Sequence, residues 1–261
     1  MPSLMEHIKI FLPMILVLKL VQVLSAYYDY GFVTFGLFVV AMIVYALFAL
    51  SWHRVSLQGA SKAEIAMPHK MGKVEWAFVG LFFVMILIPF AGGAVIGFSG
   101  GMIRGYHERI GQDISGGTRG IMAVVFLALI FFIMTLVTRL SFVLPARSVG
   151  VSLSFKDAWR ASKGTVWTFL GSNIVFILFF VLVLVVYTVA ASVVMAIASG
   201  GVQSEAETLS QHLARYVMTI PVEAGALMVT AVIVSSLSFA YQWGIQNNPI
   251  EHKPENGTVV R

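Results

Sequence analysis

The chain has 261 residues, 59% of them hydrophobic and only 11% charged, with a mean hydropathy of +0.90. That balance excludes both an ordinary water-soluble domain and a disordered chain, and it points to a lipid bilayer as the solvent. There is no cysteine, which removes disulfides, thiolate metal sites and cysteine nucleophiles. The net charge of +5 reads as basic loops facing anionic lipid, not as a nucleic-acid surface.

A hydrocarbon layer of about 30 Å needs about 20 apolar residues per helical crossing. Six stretches meet that length: 8–26, 32–51, 76–98, 120–138, 167–198 and 217–243. They predict an all-α polytopic membrane protein, with a single transmembrane domain over residues 1–246 and a flexible tail over 247–261. The second, fourth and fifth stretches contain no Lys, Arg, Asp or Glu. The first carries Lys9, Pro13, Lys19 and Gln22. A helix lying along the surface, with five crossings in all, therefore remains open for it. Lys19 in the middle of the run argues against a cleaved leader.

On a six-span topology, twelve of the seventeen Lys and Arg residues fall on the side that holds both termini. Arg104, Arg109, Arg119 and Arg215 fall on the other side, and Lys19 lies within a span. Because cytoplasmic loops are enriched in Lys and Arg, both termini are expected in the cytosol. Trp52, Trp76, Trp159, Trp167 and Trp243 all fall at the same inner boundary, while Tyr27, Tyr28, Tyr30, Tyr106 and Tyr216 mark the outer one.

Two charges stand well inside the spans, Lys19 in the first and Glu223 in the last. Counted inward from Tyr27 and Tyr216, both lie about 10–12 Å deep at 1.5 Å per residue. A lysine at a helix centre costs about 2.5–3.5 kcal/mol, so a partner is required. The matched depths predict an intramembrane ion pair holding the first helix against the last, with a proton or substrate relay as the alternative. In the third span Gly93, Gly97, Gly101 and Gly105 recur every four residues, a glycine zipper that allows close backbone approach. Internal helix packing, a dimer or partner face, and a permeation element are all open to it. Pro89 with Gly92 and Gly100 adds the expectation of a kink or an unwound segment.

The connection from Arg139 to Thr168 holds a further element. Ser154 followed by Asp157 reads as a helix start, and Phe155, Ala158, Trp159 and Ser162 then recur at helical spacing. Lys156, Arg160 and Lys163 occupy the other face. A short cytoplasmic interfacial helix is expected, with Arg139, Arg147, Lys156, Trp159, Arg160 and Lys163 touching anionic lipid. It serves either as a positional anchor or as a specific lipid or partner site.

In this connection Arg139, Pro145, Ala158, Ser162 and Gly164 stand in an order that resembles bacterial six-helix integral membrane proteins related to the membrane domain of glycerophosphoryl diester phosphodiesterases. The tract WHRVSLQG at 52–59 is similar to an element of small proteobacterial membrane proteins. The resemblance implies a six-helix fold in a bacterial inner membrane. It does not carry over the phosphodiesterase activity, which belongs to a separate soluble domain that has no counterpart among these residues.

The six histidines, His7, His53, His69, His107, His212 and His252, have no ligand spacing for zinc or haem inside a span. His107 and Glu108 with Asp113 form the best outer polar cluster. No phosphate-binding loop, nucleophile elbow or dinucleotide fingerprint is present, so no cofactor and no enzyme activity are expected. The expected function is that of a noncatalytic accessory or scaffolding subunit of the inner membrane, binding another membrane protein, itself, or lipid. The alternative is a small permease or lipid-handling transporter. It would use the Lys19 and Glu223 region or the Gly92–Gly105 tract, with little more polarity than Gln22, Asn173 and Ser192.

Overall fold

In hydrocarbon a backbone finds hydrogen-bond partners only in itself or in neighbouring protein, so each apolar stretch closes its own i to i−4 ladder. The computed structural model describes residues 4–28, 30–59, 65–109, 115–198 and 209–247. Among these the chain is helical, with no strand. The helices are α1 (Leu4–Tyr27), α2 (Gly31–Gln58), α3 (Lys73–Arg109), α4 (Gly116–Leu140), α5 (Val143–Ser148), α6 (Phe155–Ala161), α7 (Val166–Ala198) and α8 (Leu209–Asn247), with a 3-10 turn at Pro68–Lys70. Five stretches are long and apolar enough to cross a membrane: Leu4–Ser25, Gly31–Gln58, Lys73–Ile103, Gly116–Ser148 and Thr219–Asn247.

The helices outrun the stretches expected from hydropathy, because nothing stops a helix where the hydrocarbon ends. α3 continues from Lys73 to Arg109 through Pro89 and all of its glycines. The expected unwound segment at Gly92–Gly100 is therefore absent; the ladder on either side of Pro89 keeps the backbone bonded. α3 starts with the Glu75 carboxylate accepting the Gly72 N–H at 2.9 Å, the half of a capping box that a glycine N-cap allows. α6 starts at Ser154, whose Oγ accepts from the Asp157 N–H at 3.2 Å and donates to Asp157 Oδ2 at 2.5 Å. Gly150 and Gly164 supply the left-handed turns (φ +80° and +89°) that bracket α6.

α1, α2 and α8 make the closest association and enclose the main core, centred on Phe11, Ile15, Leu47, Phe48, Leu50 and Leu227. Phe11 meets Phe48 edge to face, with ring centroids 5.5 Å apart. α3 leans on this unit through Phe78 and Val79 and lies along α4. The outward faces of α4 and α7 are rows of exposed apolar side chains, among them Val124, Leu127 and Phe132 on α4 and Leu178, Phe179 and Val186 on α7. Exposed apolar rows of this extent are stable only against hydrocarbon or another apolar protein surface.

A second core, of Phe142, Val143, Ala146, Ala158, Ala161 and Tyr241, holds α5 and α6 against α8. The approach is close because α8 presents Gly244 to the end of α6: a Cβ there would collide with the Ala161 carbonyl oxygen and stand 3.2 Å from its carbonyl carbon. These are backbone atoms and cannot swing aside. Gly244→Val is expected to cost about 1–3 kcal/mol, read as a lowered unfolding midpoint in detergent. Gly80→Val, where a Cβ meets nothing within 4 Å, is the control. An unchanged midpoint for Gly244→Val would contradict this docking.

Candidate functional site

The polar side chains of the membrane-embedded part converge on the seam between α1, α2 and α8. Glu223 is 8% exposed. Its Oε1 lies 3.2 Å from Lys19 Nζ on α1, and its Oε2 accepts a hydrogen bond from Tyr45 Oη on α2 at 2.6 Å. One carboxylate thus joins three helices. Tyr216 Oη adds a second link between α8 and α1 by donating to the Leu16 carbonyl at 2.8 Å. Tyr45 escapes notice in the sequence because it sits in a long apolar run, with nothing to distinguish it from an interface tyrosine.

Farther along the same seam, the end of α2 forms a cluster. Trp52 Nε1 donates to Ser235 Oγ at 2.8 Å, and His53 Nδ1 lies 2.7 Å from Ser238 Oγ. Ser238 gives its own hydroxyl hydrogen to the Val234 carbonyl at 2.9 Å, so in the histidine contact the ring Nδ1–H is the donor. Arg54 ties three elements. Its Nη2 donates to Glu75 Oε1 at 2.6 Å at the start of α3, and its Nε to the Ser148 carbonyl at 3.0 Å at the end of α5. Ser51 Oγ accepts from the Ala66 N–H at 2.8 Å and fixes the chain that leads to α3. Counting loop charges treats Arg54 as one more cytoplasmic cation and leaves Glu75 unpaired. The G-x-x-E spacing before α3 was the legible hint of a capping role.

The glycine stripe is not used inside the described fold. Gly93, Gly97, Gly101 and Gly105 have nothing described within 4 Å of a Cβ, whereas Gly92 faces Ile133 and Gly100 faces Phe126 of α4. The α3 and α4 contact thus runs along the adjacent row, and of the three readings internal packing does not apply to these four glycines among the described residues. Beside Gly101 and Gly105, a shallow groove of about 510 Å³ is lined by Phe98, Met102, Tyr106 and Arg109.

Of the six residues expected at anionic lipid, Lys156, Trp159, Arg160 and Lys163 are exposed on or just after α6. Arg139 is drawn in from α4, its guanidinium 4.4 Å from the Trp159 ring centroid. Arg147 departs from this set. It is only partly exposed, and its Nε is enclosed without a hydrogen bond to any described residue. The expected apolar face of α6 is divided: Ala158 and Ser162 turn inward, while Phe155 and Trp159 turn outward. Asn173 is buried, with Nδ2 donating to the Phe169 carbonyl at 2.7 Å and Oδ1 without a partner among the described residues. The side chains of His107, Glu108 and Ser192, together with Asp113 and the tail beyond Asn247, lie outside the described residues.

Comparison with protein-family models, with curated proteins and with solved structures gives no match for this chain.

The shared carboxylate yields a direct test. Lys19→Glu and Glu223→Lys are each expected to destabilise the protein, by less than the about 3–5 kcal/mol of a fully buried pair because the Lys19 side chain is 36% exposed, and the double reversal is expected to recover part of that loss. Tyr45→Phe should cost about 1 kcal/mol, as for one hydrogen bond. Unfolding midpoints of the four proteins in detergent measure the coupling. Additive losses in the double variant would dismiss it.

Proposed function

We propose that this is a six-span integral membrane protein with both ends in the cytosol, working as a noncatalytic accessory or scaffolding subunit that docks another membrane protein along α3. The observation that carries the reading is the open glycine stripe. α3 has two rows of small residues: the Gly92 and Gly100 row meets α4, while the Gly93–Gly105 row meets nothing described. In lipid, helices associate by packing and not by hydrophobic exclusion, so a bare backbone face is a feature that a second helix can use.

Three further observations support it. α7, as a sixth span, is a 33-residue helix, apolar from Phe176 to Val186. It carries the chain to the outer side, so that α8 returns the tail to the basic side and twelve of seventeen cations fall in the cytosol. The exposed Lys156 and Arg160 on α6, with Arg139 stacked on Trp159, suit contact with an anionic inner leaflet. The likeness of residues 139–164 to six-helix bacterial membrane domains agrees with that topology. A permease reading draws on Lys19 and Glu223, and these are committed to each other and to Tyr45.

A Gly97→Leu, Gly101→Leu variant tests the reading. Both positions are sterically open, and leucine, which ranks just below alanine, is a better helix former than glycine, itself about 0.8–1.0 kcal/mol worse than alanine. The isolated variant should therefore be as stable as the wild type. It should nevertheless lose a stoichiometric membrane partner on mild-detergent extraction and affinity purification. A wild-type protein that purifies alone and gives substrate-dependent flux in vesicles would overturn the proposal. The absence of cysteine allows single-cysteine topology mapping: a cysteine at Leu4 should react only with reagent added from the cytosolic side.

A further inference from the structure

Where α7 and α8 part next to α6, they carry polar groups on a surface that faces outward from the bundle. A crevice of about 630 Å³ lies between them, lined on α7 by Thr168 and on α8 by Ser236, Gln242, Trp243 and Gln246. The side chains of these five make no hydrogen bond to any described residue. Elsewhere in the spans the hydroxyls are spent on their own helix: Thr135 donates to the Phe131 carbonyl at 2.9 Å, and Thr230 to that of Ala226 at 2.8 Å. Ser236 lies inside the span, while Thr168, Gln242, Trp243 and Gln246 stand at its inner end beside the boundary that Trp167 and Trp243 mark, so the unbonded groups sit where lipid headgroups can bond them.

The geometry defines that partner. The polar row follows α8 inward from Gln246, near the helix end, to Ser236, about 15 Å along it at 1.5 Å per residue. Phe169 and Phe239 supply apolar walls, and Phe239 and Trp243 are exposed, so the crevice opens sideways toward lipid. No charged side chain lines it. Amide, indole and hydroxyl donors without a cation suit phosphate and ester oxygens through neutral hydrogen bonds, whatever charge the rest of a headgroup carries. The volume falls within the usual 300–1,000 Å³ of ligand sites and suits the phosphate and glycerol region of a lipid, with its chains running on into the bilayer.

We propose that the α7–α8 crevice binds one glycerophospholipid of the cytoplasmic leaflet through its phosphate and glycerol-ester oxygens, with an acyl chain along Phe169 and Phe239. This rests on α7 crossing the membrane as the sixth span, and it is independent of any partner on α3.

Native mass spectrometry of the full-length protein tests it, with phosphatidylethanolamine and phosphatidylglycerol added in equal amounts. The wild type should retain one phospholipid after milder collisions have removed the rest, with the two headgroups retained to within about twofold. Thr168→Val with Ser236→Ala and Gln242→Leu should lower that occupancy by about tenfold or more, as expected for three lost hydrogen bonds. Circular dichroism and the unfolding midpoint check that the variant is folded. Ser236→Phe, which fills the crevice from one side, gives the same readout should the triple variant not fold. Retention by either variant equal to that of the wild type would overturn the proposal, and so would retention of a single-chain fatty acid as firmly as the phospholipid, or a protein segment crosslinking to a cysteine at 236. Because the α3 glycines are untouched, loss of lipid with the α3 partner retained, or the reverse, separates the two readings.

Discussion

A single carboxylate in apolar surroundings sets the arrangement of the central helices. Glu223 has two oxygens and uses both, one toward Lys19 of α1 and one toward Tyr45 of α2. In a medium that cannot hydrate it, an isolated carboxylate is far costlier than any one packing contact, so the three helices are held wherever that charge is neutralised. Lipid gives no hydrophobic reason for one apolar helix to prefer another over acyl chains. Directional contacts therefore decide which helices meet. The other bonds of the seam, Tyr216 to the Leu16 carbonyl, Trp52 to Ser235 and His53 to Ser238, fall between the same three helices and fix their register along its length.

The remaining helices are placed by shape. α3 approaches α4 because Gly92 leaves room for Ile133, and α6 approaches α8 because Gly244 leaves room for the Ala161 carbonyl. Each contact omits a side chain at the point of closest approach, a geometry that gains dispersion contacts over a larger neighbouring surface. Polar bonding thus builds the α1, α2 and α8 unit, and small residues attach the outer elements to it. Arg54 is the crossing point. It belongs to α2, yet its guanidinium holds the start of α3 through Glu75 and the end of α5 through the Ser148 carbonyl.

Helix type, and the presence of several helices of membrane-spanning length, are written openly in the sequence because hydropathy over about 20 residues is a bulk property that no tertiary contact reverses. The depth match of Lys19 and Glu223 was legible for the same reason: two charges in apolar spans leave few alternatives. The helix ends were less legible, because α3 and α8 extend past the apolar limit with no breaker in the sequence. A four-residue glycine period gives a face but not what that face touches. Gly92 and Gly93 are neighbours about 100° apart around the helix, and only the fold distinguishes the row that meets α4 from the row that does not. In α6 helical spacing groups Ala158 with Trp159, and only the fold separates them, with Ala158 and Ser162 buried and Trp159 exposed.

The α6 contact also fixes where α7 begins. Once Ala161 is seated on Gly244, the chain must reverse within a few residues, and Gly164 does so at φ +89° with Trp243 at 4.0 Å from where its Cβ would be. α7 then runs with Thr168 and Ser172 lining the same crevice as Ser236 and Gln242 of α8. A longer side chain at 244 or an L-residue at 164 would change both the seat of α6 and the width of the crevice. The exposed cations of α6 and the neutral donors of the crevice are therefore set by one local geometry, charged groups on the short helix and uncharged ones between the two long helices beside it.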